Sequence, residues 1–99
     1  MSRAIKLDDE DNVAVAVDEI GAGEQVNVSL KGQAELEPVE AAEEIPFGHK
    51  VALEEIAKSE RIKKYGEVIG NATKDIGIGD HVHVQNLESN RGRGDRAKS

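Results

Sequence analysis

The sequence predicts a small, mainly β domain made of short strands. Three observations support this prediction. Apolar and polar residues alternate in several short runs, glycine and proline punctuate the chain at frequent intervals, and 99 residues are the length of one modest domain.

The first two strands are predicted from alternation. Residues 12–17 place Val13, Val15 and Val17 on one face and only alanine on the other, which suits close packing against a second layer. Residues 25–30 place valine and leucine inward and polar side chains outward. A glycine-rich turn joins the two strands.

The middle of the chain is more ambiguous. Residues 34–44 fit either an extended segment or a short helix, and Pro38 favours extended structure in the first half. Residues 51–56 fit a strand or one to two helical turns. Three further strands are predicted at residues 62–64, 67–72 and 81–87.

The predicted domain boundaries follow composition. Residues 1–10 are interpreted as a lead-in and residues 11–87 as the folded domain. Residues 88–99 are polar and predict a flexible tail or linker. The acidic run from Asp8 to Asp11 is expected to be solvated.

Composition excludes several classes of protein. With Phe47 and Tyr65 as the only phenylalanine and tyrosine, and no tryptophan, the core must be aliphatic and modest, so a partner surface is plausible. No cysteine is present, which excludes disulfides and thiolate metal sites. No apolar run could span a membrane, and the N-terminal residues lack a signal-peptide pattern, so a cytoplasmic protein is expected.

The net charge of −7 is unevenly distributed. Residues 1–44 carry twelve acidic and three basic side chains, whereas residues 45–87 carry six of each. Such an acidic surface repels phosphate backbones, so nucleic acid is not an expected partner. A homo-oligomer is compatible with the sequence.

His49 and Lys50 are the first candidate site residues. They follow Gly48, which allows a tight backbone turn, and they precede an apolar segment that would fix their position. His49 could be a general acid or base, or a metal ligand; otherwise it is a loop histidine bonded to a carbonyl. Lys50 could bind a substrate carboxylate, or it could be a solvated lysine.

His81 and His83 are the candidate metal ligands. Their spacing places both imidazoles on one face of a strand, where they could bind iron, manganese or zinc. Two ligands do not make a site, and the alternative is a polar strand face at a subunit junction. Asn12 could bind a substrate hydroxyl, or it could cap a turn.

Four ordered motifs resemble the N-terminal SAF domain of the altronate/galactarate dehydratase family, which includes altronate dehydratase, galactarate dehydratase and sulfolactate sulfo-lyase. The motifs lie at residues 11–14, 45–53, 64–70 and 81–87. Many split members of that family have histidine where this chain has Gln85, so one possible imidazole is missing here.

The resemblance implies a β-clip fold and a role in a lyase. The expected function is that of a small subunit of a sugar-acid dehydratase, most directly altronate dehydratase, inactive without its large subunit. The family uses a divalent metal, iron or manganese, expected to be held mainly by the large subunit. A small subunit of (2R)-sulfolactate sulfo-lyase and a non-catalytic binding or assembly module are the alternatives. A natural small subunit is favoured over a fragment of a longer chain.

Overall fold

The computed structural model describes residues 2–89, and this part of the chain consists of strands joined by turns. No helix interrupts the strands within these residues, so the prediction of a mainly β fold is confirmed. Nothing in the described range forms a helix long and apolar enough to cross a membrane. The strands are β1 (Ser2–Lys6), β2 (Val13–Ala16), β3 (Gln25–Leu30), β4 (Ala34–Glu35), β5 (Val39–Glu40), β6 (Lys50–Ala52), β7 (Arg61–Lys64), β8 (Glu67–Ala72), β9 (His81–Val82) and β10 (Leu87–Ser89).

The larger sheet has seven strands in the order β4-β3-β1-β2-β6-β9, with β5 also paired to β3. Strand β1 lies inside this sheet, parallel to β3 and antiparallel to β2. The sequence predicted no strand at these residues, which were interpreted as a lead-in. The apolar residues of β1, Ala4 and Ile5, are too few to show a clear alternation.

The smaller sheet contains three strands in the order β10-β8-β7. Its hairpin turns at Tyr65 and Gly66, whose φ angles are 59° and 73°. The Asp11 carboxylate accepts hydrogen bonds from both backbone N–H groups of this turn, at 2.9 and 2.8 Å. Asp11 is buried, so the expectation of a fully solvated acidic run is wrong at this residue, because two hydrogen bonds replace its hydration.

Two aliphatic cores stabilise the domain, one on each side of β2. Ala14 and Ala16 pack into the first core, whereas Val13 packs into the second. Alanine allows the close approach of layers that the sequence suggested. The first core consists of Ala4, Ala14, Ala16, Ile20, Val26, Val28, Ala41, Ile45 and Val51, and the second of Val13, Ala52, Ile56, Ile62, Ala72, Ile76 and Val82.

Four turns of similar design recur along the chain, and we call them the isoleucine turns. Each starts at a buried isoleucine and ends four residues later, and the isoleucines meet in pairs across isolated bridges. The residue before the end has a φ angle between 79° and 88° in all four. The turns are residues 20–24, 45–49, 56–60 and 76–80.

In three isoleucine turns a carboxylate closes the loop. The last residue of the turn accepts a hydrogen bond from the backbone N–H three residues earlier, at 2.6 to 2.7 Å. The three donor and acceptor pairs are Gly21 with Glu24, Ala57 with Glu60, and Gly77 with Asp80. The turn at 45–49 differs, because it ends in a histidine.

The structure settles the ambiguous segments as strands and turns. Residues 34–44 contain the two short strands β4 and β5, and residues 51–56 begin in β6 and then enter an isoleucine turn. Strands β3 and β8 have the predicted bounds, β2 is one residue shorter than predicted at each end, and β7 begins one residue earlier than predicted.

The predicted closing strand at residues 81–87 is wrong as a continuous element. Strand β9 ends at Val82, a turn follows, and β10 begins at Leu87. Buried Asn86 causes the break, because its side chain accepts a hydrogen bond from the His83 N–H and donates one to the His81 carbonyl, both at 2.9 Å. Most of the predicted tail at residues 88–99 lies outside the described residues.

Candidate functional site

Three imidazoles meet at one end of the larger sheet. His49 Nδ1 and His81 Nε2 are 2.8 Å apart, and one ring nitrogen from each of His49, His81 and His83 lies within 4.8 Å of the others. The ring centroids are separated by 4.3 to 5.5 Å. We call this group the imidazole cluster. All three residues are half-buried, so the cluster remains accessible.

The pairing of β6 with β9 brings these histidines together. Lys50 lies opposite Val82, and Val51 lies opposite His81, in an antiparallel register. One step beyond this register places His49 opposite His83. The cluster is therefore assembled by a contact between residues more than thirty positions apart in the chain.

The isoleucine turn that carries His49 lacks the hydrogen bond from a backbone N–H to a carboxylate that closes the other three turns. Pro46 stands where the other isoleucine turns have an N–H donor, and His49 stands where they have a carboxylate acceptor. Because proline has no N–H group, a carboxylate at position 49 would gain no partner there. The His49 side chain is thus available for the cluster, while its backbone N–H still bonds the Pro46 carbonyl at 3.0 Å.

The turn after β9 fixes His83. The side-chain oxygen of Asn86 accepts a hydrogen bond from the His83 N–H at 2.9 Å, and the backbone N–H of Asn86 donates one to the His83 carbonyl at 3.0 Å. Gln85 contributes a further bond, from its side-chain amide to the His81 carbonyl, at 3.0 Å. This role of Asn86 was not predicted, although asparagine is a residue type that favours turns.

The electrostatic environment favours the neutral form of two of the imidazoles. Partial burial lowers the pKa of His81 and His83, and the charges that His49 and Lys50 can carry lower both further. Glu43 opposes the effect at His81, and its carboxylate also accepts the His81 backbone N–H at 3.1 Å. A neutral imidazole has a lone pair on one ring nitrogen, and metal binding requires that lone pair. In the contact between His49 and His81 one ring donates its N–H to the lone pair of the other, so a metal ion would replace this hydrogen bond.

Lys50 supplies a positive charge beside the cluster. It is half-buried, and burial lowers the pKa of its ammonium group, with a smaller contribution from the charge of Lys64. A poorly solvated cation gains more from an anionic ligand than a fully hydrated one does. The site therefore combines neutral nitrogen donors with a cation able to bind a carboxylate.

Asn12 does not lie in the cluster. Its side chain connects β2 to β7, with the amide N–H₂ donating to the Arg61 carbonyl and the oxygen accepting from the Lys63 N–H, each at 2.9 Å. These two bonds occupy one donor and one acceptor position of the amide. Only the remaining positions are free for a substrate.

One ring nitrogen from each of the three histidines could ligate a single divalent metal ion. The 2.8 Å between His49 Nδ1 and His81 Nε2 is a hydrogen-bond distance, and it is also close to the separation of about 3 Å between two nitrogens that bind one ion at about 2.1 Å. Three nitrogen donors leave further coordination positions open for a substrate. The sequence proposed His81 and His83 as ligands from their spacing and a metal ligand as one possible role of His49, and the fold brings the three side chains together.

Comparison with known proteins identifies the domain. Residues 2–90 match the model of the altronate/galactarate dehydratase SAF domain. The chain is 39% identical over 90 residues to altronate dehydratase of Bacillus subtilis. The aligned residues are 91% of this chain and 17% of that protein. It is 40% identical over 79 residues to galactarate dehydratase of Escherichia coli, covering 79% of this chain and 14% of that protein.

A second kind of relative is close to this chain in length. The chain is 35% identical over 85 residues to (2R)-sulfolactate sulfo-lyase subunit alpha of Chromohalobacter salexigens, covering 85% of this chain and 90% of that subunit. By contrast, it spans about one sixth of the altronate dehydratases that it matches. The resemblance found in the sequence is confirmed, and the chain belongs to the altronate/galactarate dehydratase SAF domain family.

Proposed function

We propose that this chain is the small SAF component of a sugar-acid dehydratase, with altronate as the favoured substrate. In this proposal it forms one wall of an active site that it shares with a large catalytic subunit. The observation that carries the proposal is the convergence of His49, His81 and His83 beside the half-buried Lys50. The identity to altronate dehydratases supports the choice of substrate.

Dehydration of a polyhydroxy acid makes three demands on a site. A base must remove the proton next to the carboxylate, cations must stabilise the dianion that develops, and an acid must protonate the departing hydroxyl. The enol product then rearranges to a 2-keto-3-deoxy acid. Fixed cations beside the carboxylate are therefore a necessary part of the wall.

The residues of this chain meet the second demand. Lys50 binds the substrate carboxylate, because its partly desolvated ammonium group gains from a negative partner. In this proposal the imidazole cluster would hold the divalent metal, iron or manganese, that the sequence assigned mainly to the large subunit, and the ion would supply a Lewis acid for the substrate oxygens. The convergence of the three rings favours a ligand role for His49 over a role in proton transfer.

The chain by itself does not meet all three demands. One lysine and three imidazoles committed to a metal leave the base, the acid and the remaining substrate contacts to a second polypeptide. We therefore expect no turnover from the isolated chain. Any substrate contact of Asn12 is limited to the positions of its amide that β7 leaves open.

The test is reconstitution with the large dehydratase chain. The complex should form 2-keto acid from altronate, and His49→Ala, in the complex, should reduce turnover strongly without preventing assembly. Lys58→Ala, which changes an exposed residue of a different isoleucine turn, is the matched control and should retain full activity. Full activity of His49→Ala in an intact complex would contradict the proposed role of the cluster.

Sulfolactate is the second candidate substrate. The observation that favours it is length, because the chain covers nearly all of a sulfo-lyase subunit alpha. Elimination from sulfolactate would release sulfite instead of water, and Lys50 could bind the carboxylate of either substrate. Sulfite release without 2-keto acid formation from altronate would replace the first assignment with this one.

A non-catalytic role has its own signature. If the complex forms and neither substrate is converted, the domain is a binding or assembly module. If substitution of the three histidines changes the stability of the complex but not its activity, the cluster contributes to assembly and not to catalysis. Both outcomes are measured in the same reconstituted complex.

A further inference from the structure

Both aromatic residues of this chain lie on its surface. Phe47 is 64% exposed and Tyr65 is 66% exposed, although the cores of such an aromatic-poor domain would gain from burying them. Val84 is the most exposed large apolar residue of the described range, at 78%. A contiguous apolar patch in contact with water is typical of a surface that a partner covers, whereas single exposed apolar residues are common.

Two of these residues lie in the turns that carry cluster histidines. Phe47 precedes His49 by two positions in the same turn, and Val84 follows His83 directly in the turn after β9. The pairing of β6 with β9 brings the two turns together at one end of the sheet. We call Phe47 and Val84 the apolar rim of the cluster.

The fold does not require an aromatic ring at position 47. The equivalent positions of the other isoleucine turns hold Ala22, Lys58 and Ile78, so this position accepts small, charged and apolar residues alike. The φ angle of 84° that the turn needs is provided by Gly48, not by Phe47. The exposed ring is therefore available for contacts outside the domain.

We propose that the large catalytic subunit docks on the apolar rim and thereby seals the imidazole cluster from bulk water. The inference rests on the proposed function, because it names the surface through which the shared site is closed. The altronate dehydratases that this chain matches are about six times longer than the matched segment, so a body large enough to cover the rim exists in the family. Half-buried imidazoles must lose water for their charges and dipoles to act strongly on a substrate.

Other surfaces carry no comparable argument. Ile78 is 51% exposed, but it lines a groove with Val28, Leu36 and Leu53, and none of the three cluster histidines lines that groove. The groove bordered by Glu55, Glu60 and Asp75 contains acidic residues without a second feature that indicates a ligand. Among the large apolar residues exposed within residues 2–89, Phe47 and Val84 are the ones that share a turn with a histidine of the cluster.

The first test measures binding of the large dehydratase chain to variants of this one. Phe47→Ala and Val84→Ala should each weaken the complex at least about 10-fold, because buried aromatic and aliphatic anchors dominate interface affinity. Ile78→Ala, an equally apolar change at the equivalent turn position, is the matched control and should leave affinity unchanged. Because the rim residues are exposed, the isolated variants should keep the melting temperature of the parent chain.

The outcomes separate this proposal from the proposed function. Unchanged affinity in Phe47→Ala and Val84→Ala overturns the docking surface, whatever the activity of the complex. Equal losses in Ile78→Ala would also overturn it. A higher KM for altronate with unchanged affinity would assign Phe47 to substrate contact instead. Rim-dependent binding without turnover of altronate or sulfolactate would support the docking surface and reject the dehydratase.

A second measurement needs no variant. Hydroxyl-radical footprinting should show Phe47 oxidised readily in the isolated chain and protected in the complex. Protection that develops in the isolated chain as its concentration rises would assign the rim to a second copy of this chain and overturn the proposal.

Discussion

Pro46 and His49 occupy the two positions at which the other isoleucine turns place an N–H donor and a carboxylate acceptor. The paired replacement removes the donor and the acceptor together, so no polar group is left without its partner. The turn still closes through its backbone bond from His49 to Pro46. The last position of the turn thus holds a carboxylate that closes the loop in three isoleucine turns and a histidine of the candidate site in the fourth.

This relationship predicts energetic coupling between the two positions. Pro46→Ala combined with His49→Glu should create the closing bond, whereas either change alone should not. A double-mutant cycle on the free energy of unfolding should give a coupling of about 1 kcal/mol in favour of the pair. Glu60→Ala, which removes the existing bond of another turn, is the control and should lower the melting temperature. Additive effects at positions 46 and 49 would contradict the interpretation.

Metal binding by the isolated chain is the second prediction. Titration calorimetry with Mn²⁺ or Co²⁺ should detect one site, and alanine at His49, His81 or His83 should each reduce affinity at least about 10-fold. Lys50→Met is the informative control, because loss of a nearby positive charge should leave affinity unchanged or raise it. Binding that survives all three alanine substitutions would place the metal elsewhere.

The pH dependence of the cluster is the third prediction. Because the folded state lowers the pKa of His81 and His83 below the usual 6.5, the unfolded chain binds more protons as the pH falls through that value. Stability and metal affinity should therefore be unaffected by these groups above about pH 7 and should decline below about pH 6.5. Proton NMR titration of the imidazole signals measures the pKa values directly.

The control for the pH effect removes one titrating group. His83→Gln should reduce the loss of stability between pH 7 and pH 5, since one lowered pKa is no longer present. His49, Lys50 and Glu43 also face the two imidazoles, so their state contributes to the measured midpoint. A midpoint at or above 6.5 for both His81 and His83 would contradict the prediction.

Local patterns were sufficient for the strands whose side chains alternate clearly. Strand β3 has the predicted bounds because its valines and leucine alternate with polar residues, and β8 has them because a turn at Tyr65–Gly66 precedes it. Strand β1 was not predicted, because it owes its place to pairing with β2 and β3 and not to its own apolar pattern.

The site shows the same division between local and distant information. The spacing of His81 and His83 predicts two imidazoles on one side of the chain, but their relation to His49 depends on the β6–β9 pairing. The break after β9 depends on the side-chain bonds of Asn86, which apolar alternation does not register. The spacing of histidines along the chain indicates candidate ligands, and the pairing of distant strands determines which of these histidines lie in one site.

Backbone strain at Ser59 gives the fourth prediction. Ser59 has a φ angle of 79° at the turn position where the other three isoleucine turns have glycine. Ser59→Gly should raise the free energy of unfolding by about 0.5–1 kcal/mol, because relief of the left-handed strain exceeds the added flexibility of the unfolded chain. The reciprocal control is Gly23→Ala, at a φ angle of 84°, which should destabilise by a similar amount although a methyl group there meets open space. Chemical denaturation of both variants measures the pair, and destabilisation by Ser59→Gly would reject the strain.

Asn12 provides the fifth prediction, which separates structure from substrate binding. Asn12→Ala removes the two bonds that connect β2 to β7 and leaves the Arg61 carbonyl and the Lys63 N–H without their partner. We expect a loss of about 1–3 kcal/mol in the free energy of unfolding, because partly buried backbone groups lose their bonds. Asn12→Asp should be less destabilising than Asn12→Ala, because the aspartate still accepts the Lys63 N–H and only the Arg61 carbonyl loses its donor.

The KM for altronate of the reconstituted complex distinguishes a structural role from substrate binding. If the role of Asn12 is structural, the KM should be unchanged in a variant that remains folded. A KM that rises in Asn12→Asp at full stability would instead place the amide against the substrate, which the two positions left open by β7 would allow.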